Sequence, residues 1–335
     1  MHFRKSGPEV GWAIELVEQS WIYRASRVVQ AASGAGVFER LAQGPATAAD
    51  VARDKGLDAG MVDRVLIACA AMGLVARQGP AWRLTPKAEA TLIPGAPCYQ
   101  GSTLAHSAGV WGFWNDLPHV LRGEGGASAF AAEGESRGIR SHRDFILAMH
   151  NMAMAGRAAE VADRVDLRGR RTLLDVGGGP GSYAMALCER NPGLAATVMD
   201  LPETVVIARE VIAGLGMADR VRAEVGDWNQ PAYGSGYDAV LLGNILHGPA
   251  SQAEMKLAKA RRALADGGLL IVQDFLLNAE KTGPLTPALF NVMIGAFSVP
   301  ELVDRVRAEG FRDIRHEDLP PAQGTTLLTA AKCEP

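Results

Sequence analysis

Residues 171–181 read RTLLDVGGGPG. Leu173, Leu174 and Val176 form a short apolar run that stops at Gly177, Gly178, Gly179 and Gly181. Such a run reads as a buried strand, and GSYAMALCERNP behind it reads as a helix. Glycines in a strand-to-helix turn let the backbone bend sharply and approach a ligand closely. The spacing is G-x-G-x-G, with Asp175 two residues ahead of the first glycine. A dinucleotide turn is spaced G-x-G-x-x-G and a P-loop ends in lysine; this turn matches neither.

From residue 169 to 335 the pattern alternates. AATVMDL (195–201), VRAEVGD (221–227), YDAVLLGN (237–244) and LLIVQDFLL (269–277) read as strands. ETVVIAREVIAGLG (203–216), SQAEMKLAKARRAL (251–264) and PELVDRVRAEGF (300–311) read as helices, the last behind a Ser298–Glu301 capping box. FRDIRHEDL (311–319) and GTTLLTAAK (324–332) close the chain as strands that a short loop lets pair antiparallel. Apolar strands alternating with helices predict an α/β domain with a mostly parallel sheet covered on both faces.

Three acids end successive strands, where open α/β sheets bind ligands. Asp175 precedes the glycine turn, where a carboxylate suits an ammonium rather than a phosphate. Asp200 ends the next strand, about 20 residues on, where a ribose diol would lie. Asp227 ends the third and is followed by Trp228, so that a carboxylate can accept from an adenine amine while an indole stacks on the ring. Each alone is weak: Asp200 could cap the helix behind it, and Asp227 could be a solvated loop acid. In order and at strand ends, they point to S-adenosylmethionine.

The N-terminal part, residues 1–100, has another pattern. Ile14, Val17, Trp21, Ile22 and Val28 recur at helical steps. Thr47 and Asp50 begin a short helix that stops at Gly56, and Asp58 begins a second that stops at Gly73. The most apolar stretch, around Leu66 to Val75, reads as buried helix. LVARQGPAWRLT (74–85) then reads as two strands about a Gly-Pro turn. Together these make a winged-helix pattern. Residues 101–168 read as a helical linker and pocket region, with GEGGASAFAAEGES (123–136) as a loop and HRDFILAMHNMAMAGRAAEVADRV (142–165) as one long helix with a Met149, Met152, Met154 face. Residues 169–335 form the cofactor-binding domain.

Composition narrows the class. The chain has 335 residues, 48% of them hydrophobic and 21% charged, which is ordinary for a globular protein. A net charge of −3 lacks the basic surplus of a nucleic-acid binder. The helix from Asp58 to Gly73 offers Arg64 and little else to DNA, so a ligand-responsive winged-helix regulator is the weaker reading. Cys69, Cys98, Cys188 and Cys333 stand too far apart for metal-ligand spacing, and no metal is expected. With no apolar run long enough to span a membrane and no signal-peptide pattern in MHFRKSGPEVGW, a cytoplasmic protein is expected.

At this point the residues resemble a family: the caffeic-acid-type O-methyltransferases of plants and their bacterial secondary-metabolite relatives. GVFERLAQGPATAADVA resembles the family's dimerisation domain, and FILAM (145–149) its Phe-x-x-x-Met segment. DVGGGPG, VMDLP, GDW, and ILHG ahead of ALADGGLLIVQD follow in the family's order. The resemblance implies a class I methyltransferase, Rossmann-like fold with a winged-helix dimerisation domain, a homodimer joined through it, and methyl transfer to a hydroxyl of a medium-sized, often aromatic acceptor. By matching positions, Gly177 and Gly179 would approach the methionine part of the cofactor, Asp200 would bind the ribose, and Asp227 with Trp228 the adenine, with Leu201 a further cofactor contact. His247 matches the family's general base, and Asp274 an acid that orients it. A phenol with a pKa near 10 is a poor nucleophile until a base takes its proton.

Acceptor contacts are expected from Phe145, Met149, Asn244, Phe290 and Met293, with Met152, Trp111 and Trp114 as further candidates, although methionines at helical spacing are as readily core. Asn244 stands where plant enzymes often carry tryptophan. Two departures stand out. The family's His-Asp-Trp is His247-Gly248-Pro249 here, and the loop bearing a second acid is shortened to MIGAFSVPELV. N- or C-methylation on the same fold therefore remains a rival reading.

Overall fold

A computed structural model describes residues 7–124, 142–320 and 324–333. The chain divides into two units, Met1–Trp111 and Gly112–Pro335, so the sequence region 101–168 is shared between them.

In the first unit, Thr47 and Asp50 form a reciprocal capping box that starts helix Ala48–Lys55, and Gly56 closes it in the left-handed conformation. Asp58 accepts from the Met61 N–H at 2.8 Å to start helix Ala59–Ala71. That helix ends earlier than the apolar run: Gly73, at φ 71°, turns the chain so that Val75 enters a strand. Strands β1 (Val75–Gln78) and β2 (Ala81–Leu84) pair antiparallel, and Trp82 exchanges two backbone bonds with Ala46. Phe38, Leu66, Val75 and Trp82 meet in one core. Helix Pro8–Trp21 stands apart from it: none of its residues is buried, and Trp12, Leu16, Trp21 and Ile22 are more than half exposed.

The second unit is a seven-stranded sheet. Its strands are β3 (Thr172–Val176), β4 (Ala195–Asp200), β5 (Val221–Val225), β6 (Tyr237–Gly243), β7 (Leu264–Asp274), β8 (Phe311–Asp318) and β9 (Thr326–Lys332), in the order β5-β4-β3-β6-β7-β9-β8. The five strands β5 to β7 run parallel, and β9 pairs antiparallel with both β7 and β8. One face packs on helices Ser182–Arg190 and Pro202–Gly214 through Leu187, Val205, Ala208 and Ile212; the other packs on Ala253–Ala263 and Val299–Ala308 through Leu257, Ala260, Leu302 and Val306. Burial on both faces is why the strands read as continuous apolar runs. Strand order reverses between β3 and β6, which opens a crevice beyond their carboxyl ends.

One expectation is corrected. Residues 142–165 are not a single helix. Helix His142–Met152 passes into a π-helical turn, Ala153–Arg157, before Ala158–Arg164. Gly156 sits there at φ 94°, a conformation that only a residue without Cβ takes readily. The loop expected at 123–136 lies, from residue 125 onward, outside the described residues.

Candidate active site

The crevice is built from the ends of two neighbouring strands. Val176 of β3 pairs with Leu242 of β6, so the glycine turn and the segment Asn244–His247 emerge side by side. Between them lies a cavity of about 360 Å³, within the usual range of ligand sites. Asp175, Gly177, Gly179, Asp200, Leu201, Trp228, Phe145, Met149, Asn244 and His247 all line it. An adjoining recess of about 140 Å³ shares Gly177, Asp200, Leu201 and Trp228 with it and adds Asp227. Phe290 and Met293 do not line this cavity; the Phe290 ring stacks on Phe275 at 3.8 Å.

The glycine turn is shaped by Asp175. Asp175 is 2% exposed, its carboxyl accepts from the Ala184 N–H, and Oδ2 has no protein partner. Burial, reinforced by the Asp200 carboxylate, pushes it up to about 7. A Cβ on Gly178 would lie 2.5 Å from Asp175 Cγ, so the middle glycine makes room for this acid. A Cβ on Gly177 would lie 3.1 Å from the Trp228 ring, whereas Gly179, at φ 55°, faces open space. Asp200 Oδ2 accepts from the Gly179 N–H at 2.8 Å, and Oδ1 from the Leu201 N–H at 2.7 Å. Asp227 Oδ1 accepts from the Asn229 N–H at 2.8 Å, which holds the turn that presents Trp228.

His247 and Asp274 meet across β6 and β7. His247 Nδ1 lies 2.8 Å from Asp274 Oδ1. Asp274 is fully buried and accepts from the backbone N–H groups of Leu246 and Phe275 as well. An acid that accepts from every side makes the imidazole Nδ1 the donor and leaves the lone pair on Nε2. Asn244 sits at φ 53° and donates its amide to Gln273 Oε1 at 2.8 Å.

Helix His142–Met152 carries Phe145 and Met149. His142 Nε2 lies 2.9 Å from Thr204 Oγ1, Arg143 pairs with Glu210 at 2.6 Å, and His150 Nδ1 lies 2.8 Å from Ser182 Oγ. Burial lowers the His150 imidazole. Thus the helix is tied to the two helices that follow the glycine turn and Asp200. Sequence reasoning passed over Ser182, Tyr183 and Thr204, which also line the cavity. Their signal was position: each lies in the first turn of a helix whose N-terminus faces the crevice. Burial pushes the Tyr183 phenol up to about 12. Among the described residues no group of three or more His, Cys, Asp or Glu could hold a metal ion.

A mostly parallel sheet with a ligand crevice at its switch point, and a half-buried histidine held by a buried aspartate beside a glycine turn, is the layout of a group-transfer enzyme. The profile of an O-methyltransferase domain matches residues 116–309, and that of an O-methyltransferase dimerisation domain matches residues 17–93. The chain is 31% identical over 306 residues to 3-hydroxy-5-methyl-1-naphthoate 3-O-methyltransferase of Streptomyces sahachiroi, covering 87% of each chain. It is also 31% identical to the N,N-dimethyltransferase OxyT of Streptomyces rimosus, over 96% of this chain and 97% of that one. Among solved structures, that of PigF with SAH matches with a TM-score of 0.80 at 25% identity, over 95% of this chain and 99% of the other. The chain belongs to the S-adenosylmethionine-dependent O-methyltransferase family. No helix among the described residues is long and apolar enough to cross a membrane.

Proposed function

We propose that this enzyme methylates a hydroxyl on a medium-sized aromatic or polyketide-like acceptor, with His247 as the general base and Asp274 as the group that orients it. The observation that carries the reading is the 2.8 Å contact between His247 Nδ1 and the fully buried Asp274, which leaves Nε2 free on an imidazole that lines the cavity. When bound, S-adenosylmethionine supplies an electrophilic methyl group on a sulfonium. The residues fit that cofactor: the unpartnered Asp175 Oδ2 suits its ammonium, Asp200 and Leu201 its ribose, and Asp227 with Trp228 its adenine. Gly177 and Gly179 leave the turn bare of side chains beside it. Phe145, Met149 and Asn244, each half-buried on the cavity wall, would face the acceptor. Phe290 and Met293 remain acceptor candidates only for a ligand that extends beyond this cavity. In the reaction, Nε2 takes the hydroxyl proton as the oxygen attacks, and Asp274 steadies the imidazolium that results.

Replacing His247 with alanine tests this. Binding of S-adenosylhomocysteine by calorimetry should persist, and turnover on a phenolic acceptor should fall by about 10²–10⁴. Full activity would overturn the assignment. The likeness to OxyT favours a second reading, transfer to nitrogen. Product mass and fragmentation with a labelled methyl group distinguish the two.

We also propose a homodimer joined through the N-terminal unit. The exposed Trp12, Leu16, Trp21 and Ile22 would be covered by a second copy, in keeping with the dimerisation profile over residues 17–93. Sedimentation should give twice the chain mass, and Trp21→Glu should shift it towards one.

A further inference from the structure

Helix Ala253–Ala263 carries two lysines, Lys256 and Lys259, that are only 5% and 6% exposed. Burying an ammonium is costly unless hydrogen bonds or counter-charges compensate. Among the described residues neither lysine forms a salt bridge. Their hydrogen bonds go instead to the backbone of the proposed site. Lys259 Nζ donates to the Trp228 carbonyl at 2.8 Å, and the Tyr233 hydroxyl donates to the same oxygen at 2.9 Å. Lys256 Nζ donates to the Ile245 carbonyl at 2.8 Å and stands 4.3 Å from the centre of the Trp228 ring.

Lys256 therefore touches two parts of the cavity at once. One is the ring of Trp228, which lines both the cavity and its recess. The other is the backbone two residues ahead of His247. The next residue, Leu246, donates its N–H to Asp274, the acid that holds His247. A cation against an aromatic face and a carbonyl fixes both more firmly than a neutral group of the same size. Burial lowers the Lys256 ammonium to about 8, and the Asp274 carboxylate works against that shift, as expected of a cation within its field.

The geometry points to Lys256 as a positioning residue that locks the cofactor shelf at Trp228 and the base segment Ile245–His247 into one arrangement. It lines neither the cavity nor its recess; it acts through two residues that do. The proposal rests on the roles given above to Trp228 and His247.

A pair of double-mutant cycles tests it. Lys256→Met alone should weaken S-adenosylhomocysteine binding by about tenfold and lower kcat by about tenfold. Added to Trp228→Ala, it should cost no further affinity; added to His247→Ala, it should cost no further turnover. A lysine that merely supported the fold would give losses that multiply in both cycles, and that result overturns the proposal, as would a single variant with unchanged affinity and kcat. If the methionine variant does not fold, Lys256→Gln, which keeps a donor without the charge, is read in the same way. Trp228→Ala or His247→Ala at wild-type affinity and turnover would overturn the reading of the site, and the proposal with it; multiplicative losses overturn the proposal alone.

Discussion

Gly248 and Gly295 face each other backbone to backbone. A Cβ on Gly248 would lie 2.9 Å from the Gly295 carbonyl carbon and 2.9 Å from the Ala296 nitrogen, at a φ of 52°. The two segments that depart from the family pattern thus meet here. Where the segment after helix Leu285–Ile294 is short, it packs against the residue after His247, and no side chain fits there. Gly248→Ala should therefore cost about 1–3 kcal/mol from backbone strain and overlap. Thermal unfolding checks this, and an unchanged melting temperature would remove the packing argument.

The His247–Asp274 contact predicts a tautomer. Asp274→Asn keeps the size but can present an N–H to Nδ1, which would move the imidazole proton to Nε2. Turnover should fall by about 10²–10⁴ with S-adenosylhomocysteine affinity unchanged. Steady-state kinetics alongside calorimetry measure both, and a fall confined to KM would show that the pair serves binding instead.

Asp175 predicts a pH dependence. Its folded value of about 7 lies above the ordinary 3.8. The folded protein therefore holds more protons than the unfolded chain between those values, so stability is full below 3.8, falls as pH rises across that window and levels off above about 7. A ligand ammonium against Asp175 favours the ionised form, so binding should release a proton and tighten about tenfold from about pH 6 to about pH 8. Calorimetry in buffers of different ionisation enthalpy reads the proton directly. The dependence should vanish in Asp175→Asn; if it stays, another group is titrating.

Asp200 holds the Gly179 N–H as well as facing the cavity. Asp200→Ala should free that turn and weaken S-adenosylhomocysteine binding by about tenfold or more, in line with loss of hydrogen bonds to a charged group. Unchanged affinity by calorimetry would remove Asp200 from the cofactor site.

Some of this was legible in one dimension because the signals are local. The capping boxes at Thr47 and Ser298, the hairpin between Val75 and Leu84, and the run from Thr172 through the glycines each depend on residues a few positions apart. The break at Gly156 was missed because the helical periodicity runs through it, and only the backbone angles reveal that the glycine is left-handed. Lys256 and Lys259 were hidden for a related reason: lysines on an amphipathic helix are normally solvated, and nothing in the local pattern marks two as buried.

The layers of the sheet domain are written in the local pattern, because strands buried on both faces must be apolar throughout and their helices apolar on one side. It also determined the order of the glycine turn, the three acids and His247, since each sits at a strand end. Which of them meet follows from strand pairing in three dimensions. Parallel pairing of β3 with β6 sets the glycine turn beside His247, and pairing of β6 with β7 brings Asp274 to it across a sequence separation of 27. Tertiary packing likewise set Phe290 against Phe275 rather than on the cavity, and closed the space at Gly248. Such contacts follow from chain topology and packing at distances of a few ångströms, which periodicity and spacing along the chain do not encode.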